Sequence, residues 1–274
     1  ASETINLDQL NFSGSPSEYS IDSIRLNYKK SNFFGSFTFN SRSSSKLTIQ
    51  ELSINPKDIQ TLFPTLEESS VDILNRFEKA NISGTLASQS ANHKLNLSLD
   101  SSLGPLQFNF DFFRKRKQMN PFYDGQIRAS QFNIGKLLNQ PDLGTANLSL
   151  YLQGKGLQFD QLDTRLYGQF SSFSYSENML DSISLDLKLN QNRVVGSVDI
   201  NDIDAKLQIQ GQFEVNDSVK KFSAIAEVNE LKFQSIQSSK FKKNRTLSGN
   251  FELVGKGTRI DNFIGDINAE SVQI

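Results

Sequence analysis

The sequence predicts an all-β protein, a long twisted antiparallel sheet that curls into an open groove and carries one or two short helices. Three observations predict it. Apolar and polar residues alternate through segment after segment, the connections are short and rich in Asn and Asp, and one stretch of pattern recurs 101 positions later. Side chains two apart on a strand share a face, so each such segment has one greasy and one polar side. Short Asn- and Asp-rich links are what hairpins between sequential strands require.

The elements follow in chain order. Ile21, Ile24, Leu26 and Tyr28 lead to Phe34, Gly35, Phe37 and Phe39, then to Leu47, Ile49, Leu52 and Ile54. A helical insertion is expected over about 56–79. A short turn of helix follows Asn55-Pro56, and a longer helix starts at Thr65, whose capping box with Glu68 precedes Val71, Ile73, Leu74 and Phe77. Leu95, Leu97 and Leu99 and then Leu106, Phe108, Phe110 and Phe112 return to strand periodicity.

The second half is more regular. Leu148, Leu150 and Leu152 alternate with Asn147, Ser149 and Tyr151, and Ile183, Leu185, Leu187 and Leu189 alternate with Ser184, Asp186 and Lys188. Beyond an Asn190-Gln191-Asn192 turn come Val194, Gly196, Val198 and Ile200, then one parity from Ile203 through Leu207, Ile209 and Phe213 to Val215. Phe222, Ala224, Ala226 and Val228 follow an Asn216-Asp217-Ser218 turn, and Leu247, Gly249, Phe251 and Leu253 follow a basic loop.

The repeat is specific. Thr145, Leu152, Gly154, Lys155, Gly156 and Asp160 recur as Thr246, Leu253, Gly255, Lys256, Gly257 and Asp261, with Leu150, Phe159, Leu162 and Leu166 becoming Phe251, Ile260, Phe263 and Ile267. Phe132 falls on Phe233 at the same offset. Each copy reads as a strand, a Gly-Lys-Gly turn, a short corner and another strand. Self-similarity of this kind belongs to stacked units that cannot bury an apolar face alone. Residues 1–274 therefore read as one continuous β-groove segment, with a first repeat over about 126–226 and an incomplete one over 227–274. A strand is still in progress at Ile274, so an internal segment of a longer protein is expected.

Composition narrows the function. Only 36% of 274 residues are apolar, which suits thin sheets with one wet face. There is no Cys, which rules out disulfides and thiolate metal sites. A formal charge of −1 provides no global field for nucleic acid. No apolar run approaches the roughly 20 residues that span a bilayer, and Ala1 begins no signal peptide. The 22 Phe against 6 Tyr and no Trp, with a mean hydropathy of −0.42, disfavour an outer-membrane barrel, whose girdles use rings with a polar end.

Candidate chemistry is sparse. His93, the only histidine, lies in the polar stretch Ser88–Lys94 and reads as a surface turn. Asp199, Asp202 and Asp204 lack the Gly and terminal Glu of a calcium loop and read as solvated turn residues. Gly154-Lys155-Gly156 lacks the phosphate-loop frame and reads as a tight turn. The basic runs Arg114–Lys117 and Lys240–Arg245 fit solvated loop tips that discourage edge pairing, contact with lipid headgroups or an acidic partner being the other reading. No catalytic residue, metal or cofactor is expected.

The stretch Gly125-Gln126-Ile127 to Phe132-Asn133-Ile134-Gly135-Lys136-Leu137-Leu138-Asn139-Gln140-Pro141-Asp142-Leu143-Gly144, continued by Leu148-Ser149-Leu150 and Gly154-Lys155-Gly156-Leu157, resembles the TamB (translocation and assembly module) proteins of Bacteroidota-type bacteria. Leu52-Ser53-Ile54-Asn55-Pro56-Lys57-Asp58-Ile59, ending at Phe63-Pro64, does so too. The resemblance implies an AsmA-like bridge-like lipid transporter: an inner-membrane-anchored protein whose taco-shaped sheet crosses the periplasm. It also implies a link to phospholipid movement and outer-membrane assembly, and a BamA-like outer-membrane partner. The family's membrane helix and C-terminal domain are expected to lie outside this segment.

An apolar groove explains the pattern without catalysis. A strand of about eight residues is roughly 26 Å long, and fifteen to twenty strands make a trough on the order of 70–95 Å. The expected lining is Leu148, Leu150, Leu152, Leu166, Ile183, Leu185, Leu187, Leu189, Val194, Val198, Ile200, Leu207, Ile209, Phe213, Phe222, Leu247, Phe251 and Leu253. Gly168, Gly196, Gly211 and Gly249 are expected to leave room for curvature or a guest acyl chain. The alternative is a secreted or cell-surface β-sandwich or adhesin-like repeat, in which the same side chains pack against a second sheet.

Overall fold

In a computed structural model of the chain, the structure describes residues 4–42, 44–62, 68–113, 120–156, 161–176, 178–215, 220–232, 245–257 and 264–274. The protein is all-β. Sixteen strands hydrogen-bond, in the order in which they occur along the chain, into one antiparallel sheet whose first and last members do not pair with each other, so it is not closed into a barrel. The chain divides into two compact units, Ala1–Met119 with Tyr123–Gln140 and Asn120–Phe122 with Pro141–Ile274.

The first unit carries β1 (Asn6–Ser15), β2 (Glu18–Tyr28), β3 (Ser31–Asn40), β4 (Ser44–Ile54), α1 (Pro56–Leu62), α2 (Glu68–Arg76), β5 (Ala80–Gln89), β6 (Asn92–Ser101), β7 (Leu106–Phe113), β8 (Phe122–Asn133) and α3 (Ile134–Leu138). Its irregular sequence spacing is explained by bulges. Register shifts between Ile21 and Ile24 and between Ile49 and Leu52 insert residues that turn Ile24 and Leu52 back to the apolar side. Phe33, not Phe34, continues the apolar row, opposite Leu26 and Leu52. Phe34 faces the other way, under the Arg25 guanidinium at 4.6 Å.

The helices sit where the sequence places the insertion, and the Thr65 cap lies outside the described residues. Asp58 fastens α1: its buried carboxylate accepts hydrogen bonds from the Lys30 backbone N–H at 2.9 Å and the Ser31 hydroxyl at 2.8 Å. α3 was not expected. It is one turn, begun by the Asn133 side chain accepting from Lys136 N–H at 2.7 Å and ended by Asn139 in the left-handed region. Arg76 of α2 donates to the Leu137 carbonyl of α3, and Lys136 of α3 pairs with Glu78 in the turn after α2 at 2.6 Å. Beneath them lies a buried cluster of Leu103, Leu106 and Phe132, packed by Phe77, Leu99, Phe108, Ile134 and Leu137 among others.

The second unit carries β9 (Thr145–Lys155), β10 (Asp163–Ser171), β11 (Phe173–Tyr175), β12 (Asn178–Leu180), β13 (Ile183–Asn190), β14 (Arg193–Asn201), β15 (Ala205–Val215), β16 (Lys220–Lys232), β17 (Thr246–Lys256) and β18 (Ile264–Gln273). The small β11–β12 hairpin stands apart from the sheet. The hairpins β9–β10 and β17–β18 begin 101 residues apart and share their register: Leu152 opposes Leu166 as Leu253 opposes Ile267, and Leu150 opposes Gly168 as Phe251 opposes Ala269. Gly154 and Lys155 belong to β9 and Gly255 and Lys256 to β17, so the expected Gly-Lys-Gly turn is instead the end of a strand. Gly154 opposes Thr164, where a Cβ would meet the Asp163 carbonyl oxygen at 2.4 Å. Ile203 is corrected too: it lies in the turn before β15 and is 78% exposed.

Candidate functional site: one apolar sheet face

In the second unit, backbone pairing converts strand parity into rows that cross the sheet. One row runs Leu148, Phe170, Ile183, Ile200, Leu207, Val228. The next runs Leu150, Gly168, Leu185, Val198, Ile209, Ala226, Phe251. A third holds Leu152, Leu166, Leu187, Gly196, Gly211, Ala224 and Leu253, and a fourth Leu189, Val194, Phe213 and Phe222. Leu247 opposes Leu231 beyond a register shift in β16. The eighteen residues expected to line a groove thus share one face.

Their burial distinguishes an open face from a closed sandwich. Every one of the eighteen is half-buried; none is fully covered. Side chains between two packed sheets interdigitate and lose nearly all solvent contact. Partial shielding comes from neighbours within the rows.

The glycines in these rows sit where a side chain would strike the neighbouring strand. At Gly168, with φ +152°, an added Cβ would lie 2.1 Å from the Ser149 carbonyl oxygen, and at Gly196 it would lie 2.1 Å from that of Asp186. The neighbouring backbone already fills the position. Close strand approach is therefore what these glycines serve.

The opposite face is mostly polar, with Val195, Ile225 and Val254 exposed on it, and is laced with cross-strand pairs. Arg165 grips Asp186 with two hydrogen bonds, 2.8 Å to Oδ1 and 2.5 Å to Oδ2, and stands over the Tyr167 ring at 4.9 Å. Donation from Arg165 holds the Asp186 carboxyl below its ordinary range, and the same bond raises the guanidinium. Tyr151 stacks on Tyr167 with centroids 5.3 Å apart. Arg193–Glu214 at 3.9 Å and Lys206–Glu230 at 3.1 Å continue the pattern.

The other candidates resolve into structure. His93 lies within β6 rather than in the turn, exposed and 2.8 Å from the Ser88 hydroxyl. Asp202 is buried, not solvated: it accepts from the backbone N–H groups of Asp181 at 2.8 Å and Asp204 at 3.0 Å. Lys232 reaches the same turn, donating to the Ile203 carbonyl at 2.8 Å and to Asp204 at 3.0 Å, a bond that raises its own pKa. Among the described residues no three potential metal ligands gather. Arg114–Lys117, Lys240–Asn244, and the Asn216-Asp217-Ser218 turn lie outside the described residues.

The first unit has rows that the expected lining omitted. Leu26, Phe33, Leu52, Ile82, Leu99 and Leu106 form one, and Ile21, Phe37, Leu47, Leu86, Leu95 and Phe110 another. Between them run Ile24, Gly35, Ile49, Gly84, Leu97 and Phe108. Parity would have found them once the bulges were allowed for. At their Leu99–Leu106 end the buried cluster beneath α2 and α3 covers this face.

The fold and this face define an all-β protein with a one-sided apolar sheet. No family model, curated protein or solved structure matches the chain.

Proposed function

We propose that the chain is a segment of a periplasm-spanning protein that carries phospholipids along its apolar β-face between the inner and outer membranes of a Gram-negative bacterium, serving outer-membrane assembly. The observation that carries the reading is the set of apolar rows whose side chains are only half-buried. Such a surface is costly in water unless something apolar covers it. An acyl chain gains about 0.8 kcal/mol for each CH₂ it buries. The attraction has no preferred direction, so a tail slides along a near-uniform lining with little change in energy. No bond is made or broken, and the function needs no catalytic group or cofactor. The anchor and a BamA-like partner belong to other parts of the protein in this reading.

Mass spectrometry of the purified chain tests it, beside the triple variant Leu187→Asp, Leu207→Asp, Phe251→Asp. These three residues lie in three different rows of the apolar face. The expected result is co-purified phospholipid with the unsubstituted chain and its loss from the variant, both giving the same β-type circular dichroism. Lipid-free protein from a lipid-replete cell, or equal lipid on both, overturns the proposal.

A further inference from the structure

On the apolar face of the first unit, one row breaks the apolar pattern. It runs Tyr19, Phe39, Ser45, Ser88, His93, Phe112, each residue directly opposite the next. Two residues further along the same strands, and so on the same face, stand Ile21, Phe37, Leu47, Leu86, Leu95 and Phe110. Aromatic rings therefore flank the row, while β4, β5 and β6 each bring one hydrogen-bonding side chain to its middle. Tyr19 sits among Phe12, Phe37 and Phe39, whose ring centroids are 5.8, 5.9 and 5.1 Å from its own. At the other flank Phe112 stacks on Phe110 at 5.8 Å.

The three polar side chains are equipped to donate hydrogen bonds to oxygen. His93 Nδ1 and the Ser88 hydroxyl lie 2.8 Å apart across the β5–β6 pair, which orients the ring and leaves its Nε2 without a partner among the described residues. His93 is exposed, and Ser45 and Ser88 are half-buried. The row holds no Asp, Glu, Lys or Arg. Lys46 and Lys94, its neighbours in sequence, belong to the opposite face, where Lys94 pairs with Asp111 at 3.6 Å. Three adjacent strands thus pass from a donor to a leucine within two residues, about 7 Å. An amphiphile makes the same passage, from oxygen-rich to alkyl, over a few bonds.

We propose that Ser45, Ser88 and His93 receive the phosphate and ester oxygens of a phospholipid whose tails run from there along β4–β6 over Leu47, Leu86, Leu95 and Leu97. The inference rests on the lipid reading and adds to it a place and an orientation for the headgroup. Recognition is by hydrogen bonds, those to the ionised phosphate being the stronger ones, and not by an excess of basic charge.

The chain has no Trp, so a single introduced indole reports locally. Phe112→Trp places it in the polar row, and Leu97→Trp places it four residues from His93 along β6, about 13 Å away. Each full-length variant is mixed with phosphatidylcholine carrying either a nitroxide on the headgroup or bromine at the tail ends. Given that separation, the headgroup label is expected to quench Phe112→Trp at least about twofold more than Leu97→Trp, and the tail label to do the reverse. Adding S45A/S88A/H93A is expected to raise the lipid concentration that half-quenches Phe112→Trp about tenfold. A brominated alkane, which has no headgroup, then still quenches Leu97→Trp equally with and without the three changes, which reports an intact apolar face. Phe39→Trp repeats the row measurement from its other flank. Equal quenching of row and interior by the headgroup label, or an unchanged half-quenching concentration in the alanine variant, overturns the inference. Soluble glycerophosphocholine is expected not to reverse the quenching; complete reversal by it identifies a tail-less phosphate as the ligand and overturns the lipid assignment. Failure of the lipid reading is separately visible: no lipid then quenches any reporter and both ideas fall, whereas tail quenching at Leu97→Trp without headgroup discrimination sinks this inference alone.

Discussion

Gly168 occupies a position that no other residue fills without displacement. Its φ of +152° is disfavoured for L side chains, and the Ser149 carbonyl oxygen stands 2.1 Å from where a Cβ would be. Gly168→Ala is expected to cost about 1–3 kcal/mol, read as a lower urea midpoint. Asp186 carries a pH signature. Its folded pKa is lowered from 3.8 chiefly by the hydrogen bond from Arg165, so its contribution is present above that value and disappears as the pH falls through the lower folded value. Asp186→Asn is expected to be less stable near neutrality and to show a shallower loss on acidification below about pH 4, followed by denaturant titration across pH. Neither feature was readable from the sequence. An alternation pattern identifies which residues share a face but not how closely two backbones approach or which polar pair forms. The burial of Asp202 was hidden for the same reason: its partners are backbone N–H groups at Asp181 and Asp204.

Strands were the most legible elements, because burying one face leaves a period of two in the sequence. Ile183 to Leu189 is read directly and pairs residue by residue with β10 and β14. Ile21 to Tyr28 is blurred only where a bulge adds residues. The short elements left no comparable trace. α3 is a single turn fixed by the Asn133 side chain, and β11 and β12 have three residues each, too few to establish a period. α1 is tied to the β2–β3 turn by Asp58 and by Lys29 donating to the Thr61 hydroxyl at 3.3 Å. Removing the Asp58 carboxylate leaves the Lys30 amide and Ser31 hydroxyl without their acceptor, a loss of about 1–3 kcal/mol. Asp58→Ala is expected to speed hydrogen exchange at the β2–β3 turn, with Asp58→Asn intermediate because its amide oxygen still accepts.

For the molecule as a whole, the sheet's open character follows from a ratio of apolar to polar residues that the sequence already contains. With 36% apolar residues arranged on alternate positions, there is enough greasy surface to pave one side of each strand and little to cover that paving. The eighteen lining residues were legible as a set because Leu, Ile, Val and Phe recur at one parity, and the register carries that parity from β9 to β17 without inversion. What the sequence could not supply was the degree of cover, since identical alternation serves a sandwich. The incomplete burial of Leu187, Leu207 and Phe251 separates the two.

The matched hairpins β9–β10 and β17–β18 have a consequence for how such a chain lengthens. From Thr145 to the residue before Thr246 the sheet gains six strands, an even number, so Thr246 sets out in the same direction as Thr145 and with the same side turned toward the apolar rows. A tandem copy of that 101-residue module, inserted at its own boundary, would extend the paving without flipping it, whereas duplicating a single strand would reverse every connection downstream. Growth by whole modules is thus open to this architecture through ordinary gene duplication, with length as the quantity that varies and the lining as the quantity that is kept.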